Sequence, residues 1–239
     1  MKQAQKLDDD FFIGEGIIPH PLSSRFDELM VAPIDNPDFL VLCYKYGVFP
    51  WYEWNDSGVF FFPSKRFVIP VGTVKVPKSI KSAFNQRKFT ISIDSSFHTV
   101  INYCKDVKRK DQNGSWISDK FVNIYSELHR MGYAHSVEVW DHEGNLAGGL
   151  YGVSIGKIFT GESMFSLQSG ASRFALIALD NILSALEFKY IDCQLINPYL
   201  ETFGGQNIHK TEFFNIIRGN MFEKTLRGNW GQLVNFMKW

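Results

Sequence analysis

Between residues 136 and 195 the chain alternates, turns, and then changes period, and this order of segments constrains the fold more than anything else in it. Residues 136–140 alternate apolar and polar side chains as a half-buried strand does. Asp141-His142-Glu143-Gly144-Asn145 supplies a hairpin turn, and residues 146–153 and 157–160 read as two more strands joined at Gly156. Across residues 171–188 the period becomes helical, with Phe174, Ala175, Ala178, Ile182, Ala185 and Leu186 on one face. Residues 190–195 return to strand. Antiparallel strands followed by a helix and a further strand require at least one crossover, so the expected class is α/β or α+β.

Upstream, Asn36-Pro37-Asp38 opens a helix that Gly47 ends, since the Asn oxygen caps the free amides and Pro suits the first turn. Phe49-Pro50-Trp51-Tyr52 and Phe60-Phe61-Phe62-Pro63 are aromatic segments broken by proline. They are expected as short strands and turns of a small N-terminal domain, residues 1–64, ahead of a main domain, residues 65–239. A lysine-rich helix over 78–86 and a strand over 89–93 follow. Ser118 then caps a helix whose Phe121, Ile124, Tyr125, Leu128 and Met131 form one apolar stripe, closed by Gly132.

The 25 basic and 25 acidic residues balance overall but are unevenly placed. Residues 1–56 carry ten acids against four bases, whereas residues 57–93 carry seven bases (Lys65, Arg66, Lys75, Lys78, Lys81, Arg87 and Lys88) and no acid. Such a block projects a positive field, either onto phosphates or onto the acidic segment across a domain contact, and charge alone does not choose. Cys43, Cys104 and Cys193 are an odd number set far apart, which fits a reduced cytoplasmic protein rather than a disulfide framework. The polar start Met1-Lys2-Gln3-Ala4-Gln5-Lys6 lacks the apolar core of a signal peptide, and no apolar run is long enough to span a bilayer.

Three groups of residues can carry chemistry. On a strand over 190–196, alternation puts Asp192 and Gln194 on one side and Ile191, Cys193 and Leu195 on the other, with Asn197 just beyond. That polar cluster fits a site at a strand's C-terminal end and equally fits a solvent-facing strip on an edge strand. Gly161-Glu162-Ser163-Met164-Phe165-Ser166 sets one carboxylate among small and apolar residues, which suits a pocket with a charged corner or an ordinary strand end. Trp51 and Trp116 sit in turn-like contexts, as stacking platforms for a base or as buried staples. Walker A, dinucleotide-glycine and His-Glu-x-x-His motifs are absent, and the six histidines show no metal spacing. Any reaction therefore starts from an activated substrate, with neither metal nor cofactor.

Taken together the motifs resemble one family. Tyr46-Gly47-Val48-Phe49-Pro50-Trp51, Gly114-Ser115-Trp116-Ile117, Gly132-Tyr133-Ala134-His135-Ser136-Val137-Glu138-Val139-Trp140, Leu146-Ala147-Gly148-Gly149-Leu150-Tyr151-Gly152-Val153, Gly161-Glu162-Ser163-Met164-Phe165-Ser166 and Asp192-Cys193-Gln194 occur in the order found in bacterial leucyl/phenylalanyl-tRNA–protein transferases. The resemblance covers residues 15–220. It implies a small N-terminal domain followed by a GNAT-like acyltransferase domain, a mixed sheet flanked by helices. It also implies transfer of Leu, Phe or, less often, Met from aminoacyl-tRNA to a protein's N-terminal Arg or Lys, marking that protein for degradation by the N-degron route. The expected partners are Leu-tRNA, Phe-tRNA and acceptor proteins, with no membrane and a monomeric chain.

By that resemblance Asp192 and Gln194 meet the attacking amine, Asp192 polarising and Gln194 aligning it, and Asn197 donates to the oxyanion. Trp51 and Trp116 take the terminal adenosine. Leu150, Met164 and their neighbours Gly161, Ser163 and Phe165 form the aminoacyl pocket, and Glu162 braces its rim. Lys75, Lys78, Lys81, Arg87 and Lys88 hold acceptor-arm phosphates. The chain departs from the family pattern at Phe62, at Tyr199, where a histidine is expected, and at Leu150, where Met is common. An acyl-CoA-dependent acyltransferase is the alternative, although Gln168-Ser169-Gly170-Ala171-Ser172 lacks its pyrophosphate-turn spacing. A non-catalytic tRNA- or N-degron-binding module is a third.

Overall fold

The computed structural model describes residues 18–22, 24–86, 88–106 and 116–234. Arg87, Gly114, Ser115 and the acidic Asp8, Asp9, Asp10 and Glu15 lie outside the described residues.

Strands β1 (Glu28–Ala32), β2 (Phe49–Trp54) and β3 (Ser57–Phe61) form an antiparallel sheet in the order β1-β3-β2. Between the first two runs α1 (Pro37–Lys45), where Asn36 Oδ1 accepts the Phe39 amide at 3.1 Å and Gly47 leaves the helix at φ +73°. The sequence expects Trp51 in a turn; instead it lies within β2, because β2 pairs with β3 on both sides of it.

The larger sheet has seven strands: β4 (Lys65–Pro70), β5 (Thr90–Ile93), β6 (Ala134–Trp140), β7 (Leu146–Ile155), β8 (Ile158–Ser166), β9 (Tyr190–Asp192) and β10 (Gln206–His209). Their order is β10-β4-β9-β8-β7-β6-β5, and only β8 and β9 run parallel. The crossover between those two is α5 (Ala171–Ala185). It follows α2 (Lys78–Asn85), α3 (Phe97–Asp106) and α4 (Asp119–Arg130), and precedes α6 (Pro198–Glu201), α7 (Lys210–Asn220) and α8 (Trp230–Val234). This is a mixed α/β fold, a seven-stranded mixed sheet flanked by helices. Among the described residues no helix is long and apolar enough to cross a membrane.

Each face of the sheet buries an apolar layer. On one, Phe174, Ala178 and Ile182 of α5 pack with Val139, Leu150, Phe159 and Ile191. A side chain at Gly148 would come within 2.7 Å of the Ala171 methyl, so glycine on β7 lets the start of α5 lie against the sheet. On the other face Leu40, Phe49 and Phe60 join Phe97, Tyr125, Tyr151 and Phe213 in a single cluster. Residues before and after position 64 thus share one core, and N-terminal side chains reach the middle of the molecule.

The motif at 132–140 is structural. Asp94 accepts His135 Nδ1 at 2.9 Å, the Ser136 amide at 3.0 Å and the Trp230 amide at 2.7 Å, while the Trp230 indole stacks on His135 at 3.8 Å. Glu138 accepts the hydroxyls of Ser92 at 2.7 Å and Ser95 at 2.9 Å. A buried carboxylate is tolerated only when donors surround it, and both acids are supplied with them.

Candidate active site

Strands β8 and β9 pair through Thr160 and Asp192 and then part, opening a cleft of about 640 Å³ beyond their C-terminal ends. Ligands bind at such ends because the chain there is free of the ladder. Expected alternation across 190–196 does not hold: β9 stops at Asp192, and Gln194 takes the left-handed conformation, φ +65°. Held by its amide to Asp192 Oδ1 (2.9 Å) and by its carbonyl to the Phe67 amide (3.1 Å), Gln194 turns its side chain into the cleft. A non-glycine residue held at positive φ stores backbone strain, which the surrounding bonds must sustain.

Asp192 is therefore placed differently from the expected side-by-side pair. It is 1% exposed and does not line the cleft. Arg66 Nε and Nη2 donate to its two oxygens at 2.7 and 2.6 Å, and Thr160 Oγ1 adds a bond at 3.3 Å. The Arg66 guanidinium, also 1% exposed, lies between the rings of Phe49 and Phe213, 4.5 and 4.4 Å from their centroids. So one of the seven bases in the acid-free block is a core residue. Asp192 is hydrogen-bonded to the cleft through the Gln194 backbone amide.

The carboxylate that does face the cleft is Glu162. In the β7–β8 ladder Tyr151 opposes Ser163 while Gly152 opposes Gly161, which makes Glu162 the extra residue of a bulge and re-aims its side chain. Oε1 accepts the Tyr44 hydroxyl and Gln194 Nε2, both at 2.8 Å; Oε2 accepts the Tyr125 hydroxyl at 2.9 Å. The two phenols are themselves 2.6 Å apart. Burial pushes Glu162 up to about 8 against the pull of the two phenols, and burial likewise holds Tyr44 and Tyr125 well above the usual phenol range. Both phenols therefore stay protonated donors across the physiological range.

Around this pair the walls are apolar. Leu150 and Met164 are ladder partners on the cleft side, joined by Phe165 and, on α5, by Leu176 and Leu179. Nothing comes nearer than 3.9 Å to a side chain placed at Gly161, so glycine there keeps the cleft open. Trp51 and Trp116 close another wall, braced edge-on by Phe49 at 5.9 Å and Phe121 at 5.2 Å. Asn197 also lines the cleft; its Oδ1 caps α6 by accepting the Tyr199 amide at 2.8 Å, which leaves its Nδ2 hydrogens for a ligand. Cys193 is on the wall too, its thiol pushed up by burial, so it packs rather than reacts. Among the described residues no cluster could hold a metal ion.

The family model for leucyl/phenylalanyl-tRNA protein transferase matches residues 68–218. The chain belongs to that family. Curated transferases of this name from Desulforapulum autotrophicum and Syntrophus aciditrophicus are each 39% identical, over 90% and 91% of this chain and 93% and 92% of their own. That from Flavobacterium johnsoniae is 40% identical over 83% of this chain and 94% of its own. Among solved structures, L-PGS from Bacillus licheniformis is similar at TM-score 0.40 and 12% identity, covering 71% of this chain and 54% of its own, a likeness too loose to bear on function. As a leucyl/phenylalanyl-tRNA–protein transferase family member the chain is an aminoacyltransferase, which sides against the acyl-CoA and non-catalytic alternatives.

For a member of the transferase family the structure gathers Trp51, Trp116, Leu150, Gly161, Glu162, Ser163, Met164, Phe165, Gln194 and Asn197 around one cleft. It leaves Asp192 behind the wall. Lys75, Lys78, Lys81 and Lys88 are exposed and make no ion pair among the described residues. Sequence reasoning missed Arg66, Tyr44 and Tyr125. A cation inside the apolar run Phe60–Pro63 to Pro70 was the available signal for Arg66, because a buried strand cannot hold it without a carboxylate.

Proposed function

We propose that the cleft receives the 3′-terminal aminoacyl-adenosine of Leu- or Phe-tRNA and passes the aminoacyl group to the α-amino group of an N-terminal Arg or Lys of a protein, marking it for the N-degron route. One observation carries this reading: the bonded pair Glu162–Gln194 lies in the same cleft as both indoles and an apolar wall. The adenine stacks on Trp51 and Trp116, and Leu150 and Met164 face the transferred side chain. Adaptable Met and Leu side chains accept Leu, Phe and Met alike.

The incoming amine has an ordinary pKa near 8. Gln194 aligns it, and its nitrogen attacks the ester carbonyl, with Asn197 Nδ2 donating to the oxyanion. An amide is no base and Asp192 is committed to Arg66, so Glu162, its own pKa matched to that of the amine, takes the proton. The carbon–nitrogen bond forms first, and the tetrahedral adduct then collapses with loss of the bond to the ribose oxygen, which leaves with the proton that Glu162 took from the amine. Asp192 acts by fixing the Gln194 backbone, which makes it a positioning residue. The chain acts as a monomer in this reading, and a tRNA substrate supports a cytoplasmic setting.

Incubating the pure protein with radiolabelled Leu- or Phe-tRNA and an Arg-initiated peptide tests the reaction: label is expected on the peptide, and tRNA binding without any transfer defeats it. The lysine block gives a separate test. With Lys75, Lys78 and Lys81 all changed to Ala, the slope of log K against log salt for tRNA is expected to fall by about 2–3, and an unchanged slope removes the phosphate role.

A further inference from the structure

Arg173, in the first turn of α5, is half-buried and makes no ion pair among the described residues. Its guanidinium carbon instead sits 5.1 Å from the ring centroid of Tyr199 and 5.8 Å from that of Phe203. Tyr199 is a wall residue of the cleft, and its hydroxyl is 3.0 Å from Ser172 Oγ. A ring of the cleft wall is thus also in contact with a cation that is not itself a lining residue. A guanidinium fixed on aromatic faces keeps its N–H edges directed outward for a planar or tetrahedral oxyanion, and the ordering is already done before a ligand arrives.

A second cation, Lys75, packs on the segment that carries Phe203. Lys75 donates its amide to the Phe203 carbonyl at 3.0 Å, and its side-chain stem passes within 3.7 Å of where Gly204 would carry a Cβ. Ile80 lies 3.3 Å from the equivalent point at Gly170, which brings α2, with Lys81 next in sequence, to the start of α5. The two nearby acids do not neutralise this edge. Asp180 is buried and accepts the Gly72 amide at 2.7 Å, fixing the loop that leads to Lys75, and Glu201 points into solvent without an ion pair among the described residues.

We propose that Arg173, together with Lys75 on the shared Phe203–Gly204 segment, forms a phosphate subsite for the phosphodiester that joins the terminal adenosine to the rest of the RNA. This rests on the aminoacyl-tRNA reading and deepens it. The subsite splits the substrate between two recognition modes, base and side chain inside the cleft, backbone phosphate beside Tyr199. Tyr199 then couples the two, as wall of the cleft and as platform for the guanidinium. A cofactor pyrophosphate presents the same oxyanion chemistry, so the test separates the two sources.

The probes are the amide analogue of phenylalanyl-adenosine with and without a 5′-phosphate, with dissociation constants from calorimetry. In the wild type the phosphate is expected to tighten binding by about tenfold. In Arg173→Gln that gain disappears while the phosphate-free analogue binds as before, and Lys75→Ala loses part of it. A phosphate gain that survives Arg173→Gln overturns the subsite, as does an equal loss for both analogues, which would leave Arg173 a packing residue for Tyr199. Displacement of the phosphorylated analogue by CoA would reassign the site to a cofactor and overturn it too. If the wild type binds neither analogue, the nucleotide does not occupy the cleft, and the proposed seat of the aminoacyl-adenosine falls together with the subsite.

Discussion

Arg66→Met is expected to lower stability by about 3–5 kcal/mol, a drop of roughly 10 °C or more in the unfolding midpoint. The guanidinium and the Asp192 carboxylate are each 1% exposed, so removing one leaves a charge in the core with no counterpart. The apolar slot between Phe49 and Phe213 accepts the Met side chain, so volume is not the cause. Desolvation of both charges offsets most of their attraction, so the pair itself adds little net stability. Accordingly the double variant Arg66→Met with Asp192→Leu should recover most of the loss. Thermal unfolding of the two proteins checks this, and a single variant as stable as the wild type, or a double variant worse than the single, defeats the paired-charge account. Because Asp192 fixes the Gln194 amide, the double variant is also expected to fold yet turn over slowly.

The second large effect concerns Glu162. Glu162→Gln should cut turnover by about 10²–10⁴-fold, the usual worth of a positioned acid–base group, while tRNA affinity changes little. Below pH 8 two groups must lose protons in the wild type, the amine and Glu162, so log kcat/KM for the acceptor climbs with a slope approaching 2, against 1 in the variant. Stability carries the same signature with a definite sign. The folded pKa of Glu162, about 8, lies above the 4.5 of a free glutamate, so the folded state holds a proton the unfolded state has lost. Its contribution is complete below about pH 4.5 and disappears as pH rises through about 8, and Glu162→Gln should flatten that decline. Parallel stability profiles for the two proteins, or an unchanged slope in the rate, would make Glu162 a brace only.

Much of the architecture was legible in the chain because periodicity is local. The Asn36 cap, the turn at Gly156 and the α5 crossover follow from nearest neighbours in sequence, and the structure has all three. The site was legible as a set of residue types and wrong in one orientation. Alternation assumes an unbroken strand, and the left-handed Gln194 breaks it two residues too soon to keep Asp192 in the cleft. Long-range pairing explains the rest. Arg66 meets Asp192 across 126 positions and Tyr44 meets Glu162 across 118, distances over which spacing is silent. Tyr125 lay in plain view within an apolar stripe, its ring packing with Phe121 and Tyr151 while its hydroxyl reaches Glu162, and a helical pattern reports only the ring.

Single-turnover transfer by Gln194→Ala tests the central claim most directly, with the chemical step and the tRNA dissociation constant measured on the same protein. Removing the group that aligns the amine should slow the transfer of labelled Phe from tRNA to an Arg-initiated peptide by about 10²-fold or more, with tRNA held as tightly as before. A variant that transfers at the wild-type rate, or one that loses rate and tRNA affinity in equal measure, would contradict the account.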